Sequence, residues 1–118
     1  MEKKDLGKTS LGVEANVAAV LSYVLGLITG IIFYLLEREN KFVRFHAFQS
    51  IVTFGGLLVI SLANNFVLKI ILPWQISGMV SGIVGIMGLV LWIVLMIKAY
   101  QGDYFKLPII GDIAEKNI

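Results

Sequence analysis

Residues 41–50 read Lys-Phe-Val-Arg-Phe-His-Ala-Phe-Gln-Ser, and they lie between two long apolar runs. Basic side chains, aromatic rings and the sole histidine of the chain alternate in this stretch. Rings and aliphatic stems suit the headgroup region of a bilayer, where the charged tips reach water. The stretch therefore predicts an amphipathic, interfacial start to a helix that continues into a membrane.

The composition of the whole chain also indicates a membrane protein. Of 118 residues, 58% are hydrophobic and 15% are charged, and the mean hydropathy is +0.86. Ordinary soluble domains are roughly 45–50% apolar. The sequence contains no cysteine, which excludes disulfides and Cys-ligated zinc. The net charge is only +2, with basic residues placed singly, and this does not indicate nucleic-acid binding.

Three apolar runs are long enough to cross a bilayer, which takes roughly 20 helical residues. We predict one all-α membrane domain with three transmembrane helices: a polar tail (1–13), a first span (14–36), a charged and aromatic junction (37–50), a second span (51–72), a third span (76–98) and a membrane-associated, interfacial tail (99–118). Pro73 is expected to end the second span, and Gly102 the third. Asp112 and Glu115 have capping-box spacing, so a short helix is expected after Asp112.

Glycines recur on one face of the first and third runs. Gly26 and Gly30 form one GxxxG pattern, Gly78 and Gly82 form a second, and Gly85 continues that face. Where side chains are missing, a neighbouring helix can approach closely. We expect these glycines to pack the first and third spans together, either within one molecule or between copies in a homo-oligomer.

The distribution of basic residues predicts an orientation. With three spans, Lys3, Lys4, Lys8 and Lys69 lie on one side, and the other six of the ten basic residues lie on the opposite side. The positive-inside rule then places the junction and the carboxyl tail of a multi-pass cell-membrane protein in the cytoplasm, and its amino terminus outside.

Two sets of side chains are candidate functional residues. One is a lipid-contact or interaction set on the junction, which consists of Arg38, Lys41, Arg44 and His46. The other is a polar stripe on one third of the helix circumference, which consists of His46, Gln49, Thr53 and Asn64. The stripe either lines a conduit or ligand site, or its amides hydrogen-bond to neighbouring helices. The sequence leaves both interpretations open.

Catalytic and metal-binding patterns are missing from the sequence. One histidine, no cysteine and no pair of carboxylates within an apolar run leave neither workable metal ligands nor a base–nucleophile couple. We therefore expect a protein that is not an enzyme and takes no metal and no cofactor. A lipid-modifying enzyme that uses His46 is a third hypothesis.

The sequence resembles a known family most specifically in the block Leu-Glu-Arg-Glu-Asn-Lys-Phe-Val-Arg-Phe-His-Ala-Phe-Gln-Ser at 36–50, with Lys-Leu-Pro-Ile-Ile-Gly-Asp-Ile-Ala-Glu-Lys at 106–116. This family consists of small uncharacterised archaeal and bacterial membrane proteins. It is distantly similar to the magnetosome proteins MamF and MmsF and to the membrane component of the chloroplast Tic import complex. The resemblance implies a three-span helical membrane protein and supplies no catalytic residue.

Outside the spans, residues suited to the membrane–water interface dominate, and they favour one function over the others. The leading hypothesis is a non-enzymatic membrane scaffold or assembly protein whose partners are the lipid bilayer, further copies of itself or another membrane protein. The alternative is an oligomeric channel or translocation-conduit component lined by the stripe from His46 to Asn64.

Overall fold

A computed structural model describes residues 6–118, and the regular structure in this part of the chain is entirely helical. The all-α class is therefore confirmed for the described residues, while positions 1–5 of the predicted polar tail lie outside them. The helices are α1 (Ala15–Val24), α2 (Leu27–Leu36), α3 (Lys41–Ile71, with a π-helical stretch at Asn64–Leu68), α4 (Trp74–Tyr100) and α5 (Ile110–Lys116).

Helices α3 and α4 are each long and apolar enough to cross a membrane. They contain 31 and 27 residues, which corresponds to about 46 and 40 Å at 1.5 Å per residue. As expected, α3 runs without interruption from the junction into the second apolar run, after Asn40 caps it by accepting a bond from the Val43 amide. Both predicted breaks are also present, since α3 ends before Pro73 and α4 ends before Gly102, where φ is 81°.

The prediction of one continuous helix over 14–36 is wrong. The structure divides this run into α1 and α2, which have ten residues each. Gly26 separates them with φ 62° and ψ −117°, a backbone conformation that residues other than glycine rarely adopt. Each helix is about 15 Å long, half of the roughly 30 Å hydrocarbon core. A third span is therefore not confirmed.

Helices α1 and α2 form a hairpin, because the residues on either side of them lie together. The amide of Ser10 donates to both carboxylate oxygens of Glu37, at 2.8 Å each. The Asn40 side chain donates to the carbonyls of Leu6 and Lys8, at 2.8 and 3.1 Å. The chain thus enters and leaves the hairpin at the same end of the molecule.

This arrangement corrects the predicted placement of the amino-terminal segment. We expected it at the end that holds Lys69, opposite the junction. Instead, residues 6–10 contact 37–40, and Asn16 donates to the carbonyl of Tyr100 at the end of α4. Residues 6–14, 37–44 and 98–118 therefore share one end, which we call the polar end; the turn at Pro73 forms the other.

The hairpin packs between the two long helices, along the first half of α3 and along residues 92–100 of α4. A Cβ placed on Gly30 would lie 3.1 Å from the carbonyl oxygen of Ala47. At the tip, the Ser50 hydroxyl donates to the carbonyl of Gly26 at 2.9 Å. On the other side, the indole of Trp92 donates to the carbonyl of Tyr23 at 2.8 Å. Because Gly30 has no side chain, α2 can thus pack closely against α3.

The glycines of α4 do not make the predicted contact with the first run. Cβ atoms placed on Gly78, Gly82 and Gly85 would meet no atom within 4 Å. Helix α1 reaches α4 through residues 92–100 instead, nearer the polar end. Within one copy the expected packing of first-run glycines on third-run glycines is therefore not made, because an open cavity lined by both Gly26 and Gly85 separates the hairpin tip from this part of α4.

The apolar side chains at the start of α3 lie inside the bundle. Phe42, Val43, Phe45 and Ala47 are all buried, because α1, α2 and the carboxyl tail pack around this part of α3. Phe42 and Val43 form the core together with Ala18, Ala19, Leu95, Ala99 and Leu107, among others. The aromatic residues of the junction that we placed at the interface are thus mainly core residues.

The carboxyl tail folds back along the start of α3 and ends in a short helix. Helix α5 begins at Ile110, earlier than expected, and no side chain of the described residues caps it. The capping-box prediction is wrong because Asp112 and Glu115 instead form ion pairs with Lys106, at 3.5 Å in the case of Asp112.

Candidate functional site

His46 joins three parts of the fold at the centre of the buried cluster. Its Nδ1 lies 2.7 Å from the hydroxyl of Tyr23 on α1, and its Nε2 lies 2.8 Å from the carbonyl oxygen of Asp103 in the tail. A carbonyl only accepts, so Nε2 carries the hydrogen, and Nδ1 of the neutral ring accepts from the tyrosine. The imidazole thereby ties the hairpin and the tail to α3.

Gln49 lies one helical turn beyond His46 and extends the same network. Its side-chain amide donates to the Tyr23 hydroxyl at 3.1 Å and to the carbonyl of Phe105 at 2.9 Å. Its carbonyl oxygen accepts from the amide of Leu107 at 3.0 Å. We call Tyr23, His46 and Gln49 the polar clamp. It fixes the backbone of residues 103–107 against α3.

Aromatic rings surround the imidazole of the clamp. The ring centroids of Phe42, Phe45 and Tyr23 lie 4.6, 5.1 and 5.5 Å from that of His46, all edge to face. Tyr104 in the tail packs on both phenylalanines. His46 is fully buried, so the structure does not place it where it would contact lipid headgroups.

The other three residues of the predicted lipid-contact set lie at the polar end. Arg38 and Lys41 are exposed, whereas Arg44 is half-buried. One guanidinium nitrogen of Arg44 donates to the carbonyls of Tyr34 and Glu37, at 3.0 and 2.9 Å. Its guanidinium carbon also lies 4.2 Å from the centroid of the Tyr34 ring. Arg44 therefore has a structural role where α2 meets α3.

An open pocket of about 430 Å³ lies beside Arg44. It is lined by Tyr34, Leu35, Arg38, Arg44 and Ile118. Two guanidinium groups at one cavity are a common arrangement for binding phosphate or carboxylate, because each presents several donors in a fixed plane. The pocket thus presents donors of the kind that bind an anionic headgroup.

Glu37 is buried in a nest of backbone amides at the polar end. Burial raises the pKa of its carboxyl, but hydrogen bonds from the amides of Ser10, Asn40 and Glu39 outweigh this effect. The pKa of Glu37 therefore lies below its ordinary value. The carboxylate is ionised at neutral pH and joins the amino-terminal segment to the start of α3.

The polar stripe is interrupted by contacts within the chain. Asn64 donates to the carbonyl of Ser77 at 3.1 Å and accepts from its hydroxyl at 3.0 Å, which joins α3 to α4 near Pro73. Thr53 is buried, and its hydroxyl has no hydrogen-bond partner among residues 6–118. The contacts of Gln49 and Asn64 agree with the interpretation in which amides bridge neighbouring helices.

The sequence alone did not identify several members of this site. Tyr23 looked like an ordinary residue of the first run, and the backbone of 103–107 carries no side-chain signal. A usable signal was the amide of Gln49, since a buried amide requires partners. No group of three or more His, Cys, Asp or Glu side chains within residues 6–118 could hold a metal ion.

Comparisons with known proteins match almost the whole chain. The family model described as the magnetosome magnetite crystal formation protein family, MamF/MmsF, matches residues 8–114. A UPF0132 membrane protein of Methanocaldococcus jannaschii is 53% identical over 111 residues, 94% of each chain. One from Archaeoglobus fulgidus is 48% identical over 103 residues, 87% of this chain and 94% of the relative. No solved structure matches.

Proposed function

This chain belongs to the MamF/MmsF family, described as the magnetosome magnetite crystal formation protein family, and we propose that it acts as a non-enzymatic membrane scaffold or assembly protein. In this proposal α3 and α4 span the cell membrane and the α1–α2 hairpin enters it from the polar end without crossing. The polar end lies in the cytoplasm, where Arg38, Lys41 and Arg44 face anionic headgroups or a partner.

The observation that carries this arrangement is the position of the basic residues. Of the ten Lys and Arg residues, Lys3 and Lys4 precede the described part, which leaves eight. Seven of these eight lie at the polar end: Lys8, Arg38, Lys41, Arg44, Lys98, Lys106 and Lys116. Lys69 lies near the turn at Pro73. The positive-inside rule favours a cytoplasmic polar end far more strongly for this fold than for three spans.

The outer surface of the hairpin supports its placement in hydrocarbon. Large apolar side chains that are exposed in the described part of the chain project from both of its helices, among them Val17, Leu21, Val24, Ile28, Ile31 and Leu35. Leaving such a surface in water costs about 25 cal/mol per Å². Lipid can cover it at no such cost.

Cysteine labelling tests the arrangement, because the natural sequence contains no cysteine. Single variants Lys8→Cys, Lys116→Cys and Gln75→Cys place one thiol at each of three exposed positions. In intact cells, a membrane-impermeant maleimide should label Gln75→Cys only. After the membrane is permeabilised, all three cysteine variants should react.

A different labelling pattern would contradict the proposed arrangement. If Lys8→Cys and Gln75→Cys react together while Lys116→Cys is protected, the first run crosses the membrane and the proposed arrangement is wrong. The double variant Arg38→Gln/Lys41→Gln then tests the headgroup contact, with Lys69→Gln as its matched control. Anionic phospholipid that copurifies with the protein, measured by mass spectrometry, should fall in the double variant and not in the control.

The conduit hypothesis receives less support from the contacts of the stripe. Water passing along His46, Gln49 and Asn64 would have to displace hydrogen bonds that each of them makes within the chain. In the scaffold proposal these bonds stay intact and hold the tail and the two long helices in place.

A further inference from the structure

We propose that the protein is a membrane wedge that concentrates in curved bilayers, with its polar end in the expanded leaflet on the convex side. This inference rests on the membrane arrangement proposed above and adds an activity to it. Its basis is the unequal number of helices in the two halves of the molecule.

The hairpin tip lies about halfway between Lys41 and Lys69 along α3. The carbonyl of Gly26 accepts from Ser50, and a Cβ on Gly26 would lie 3.2 Å from the Phe54 ring. From Lys41 to Phe54 the helix rises about 20 Å, and from Phe54 to Lys69 about 22 Å. The tip therefore reaches the middle of the segment between these two lysines.

In the described part of the chain, the half of the molecule beyond the tip contains two helices. Residues 55–71 of α3 and 74–91 of α4 continue there and contact each other, for example through Asn64 and Ser77. On the polar side of the tip, α1 and α2 lie beside the same two helices. Among the described residues, four helices thus occupy one half, with the short tail helix α5 beside the start of α3, and two occupy the other.

The difference in cross-section between the halves is large. A helix with side chains is roughly 10–12 Å across, so each occupies roughly 80–110 Å² in the membrane plane. Two additional helices in one leaflet add roughly 160–220 Å² to that leaflet alone. Packing such a shape into a flat bilayer requires the lipids to deform, which costs free energy. A bilayer curved with its wider leaflet on the hairpin side accommodates the shape with less deformation.

The packing of the hairpin makes the wedge rigid enough to act on lipid. Gly30 seats α2 directly on the backbone of α3, and the indole of Trp92 holds α1 to α4. The Tyr23 hydroxyl further ties α1 to His46 and Gln49. Separating the hairpin from the long helices would break these contacts together.

Membrane tubes pulled from giant vesicles measure this activity directly. The labelled variant Lys116→Cys is reconstituted at low density in neutral phosphatidylcholine, so that headgroup charge plays no part. An impermeant quencher identifies molecules whose polar end faces outward. For these, the tube-to-vesicle ratio of protein per lipid should exceed one and rise as the tube narrows. Molecules of the opposite orientation should give a ratio below one.

Two matched variants alter the wedge without touching the packed core. Gly78→Leu/Gly82→Leu adds bulk to open positions in the narrow half and should reduce the enrichment. Val17→Phe/Val24→Phe adds bulk to exposed positions on the hairpin and should maintain or raise it.

A ratio of one at every tube radius for wild-type protein, or the same sign in both orientations, would overturn the proposal. Such a result combined with the expected cysteine labelling would remove the wedge and leave the scaffold arrangement intact. If the labelling shows instead that the first run crosses the membrane, both proposals fail together.

Discussion

The backbone amide of Ser10 donates a hydrogen bond to each carboxylate oxygen of Glu37, at 2.8 Å. These residues lie on opposite sides of the first apolar run in sequence, so the contact requires that run to return to the end where it began. Glu37 also accepts from the amides of Glu39 and Asn40, at 3.2 Å each. One buried carboxylate thus closes the hairpin.

We predict that Glu37→Gln destabilises the fold by about 1–3 kcal/mol, because an amide group would replace one of the accepting oxygens and leave buried amides unpaired. Thermal unfolding in detergent, followed by circular dichroism, measures the change. Glu39→Gln is the matched control, since Glu39 is exposed in the same turn. Equal effects of the two substitutions would contradict the role of Glu37.

Glu37 should also make stability depend on pH. Its pKa is lower in the folded protein than in the unfolded chain, so its contribution is present above the unfolded value of about 4.3 and is lost as the pH falls through the folded value. The melting temperature of the wild type should therefore fall more steeply below this pH than that of Glu37→Gln. Parallel curves would show that another group is responsible.

The polar clamp should control access to the carboxyl tail. Gln49→Leu leaves the Phe105 carbonyl and the Leu107 amide without their partner, which costs about 1–3 kcal/mol. Trypsin should then cut after Lys106 faster than in the wild type. Asn65→Leu, which alters an exposed amide on the same helix, should leave the cleavage rate unchanged.

Two glycines should respond differently to the same added methyl group. Gly30→Ala places a Cβ 3.1 Å from the Ala47 carbonyl and from Ser50, and overpacking of this kind costs about 1–3 kcal/mol. Gly82→Ala meets nothing within 4 Å and should be neutral or stabilise its helix by up to about 1 kcal/mol. Melting temperatures of the two variants, compared in one detergent, test both expectations. If Gly82→Ala were the more damaging change, α4 would have a partner that a single copy does not supply.

The two hydrogen bonds between Asn64 and Ser77 should hold the long helices together near Pro73. Ser77→Ala removes the donor to the Asn64 side chain, and hydrogen bonds between membrane helices are worth about 0.6–1.7 kcal/mol. Ser81→Ala, one turn further along and exposed, serves as the control. The expected result is a lower melting temperature for Ser77→Ala alone.

The sequence predicted those features that depend on local composition. Two apolar runs became helices of spanning length, and Pro73 and Gly102 ended them where expected. Asn40 proved to be the capping residue of the helix that was expected to begin near it. Each of these results depends on neighbouring residues in the chain, which is why a pattern in the sequence could indicate it.

The tertiary structure decided the direction of the first run and the position of the junction. Hydropathy measures how apolar a segment is and how long it is. Two helices of ten residues each, joined at Gly26, have together the same length and composition as one span. The reversal depends on contacts from distant residues, namely those of Ser50 with Gly26 and of Ser10 with Glu37. The same holds for His46, whose burial requires a tail nearly sixty residues away. By itself the sequence determined that this is a helical membrane protein, because the apolar character and the length of a helix are local properties. Only the tertiary structure decided that the first apolar run turns back, because this reversal depends on which distant groups form hydrogen bonds with one another.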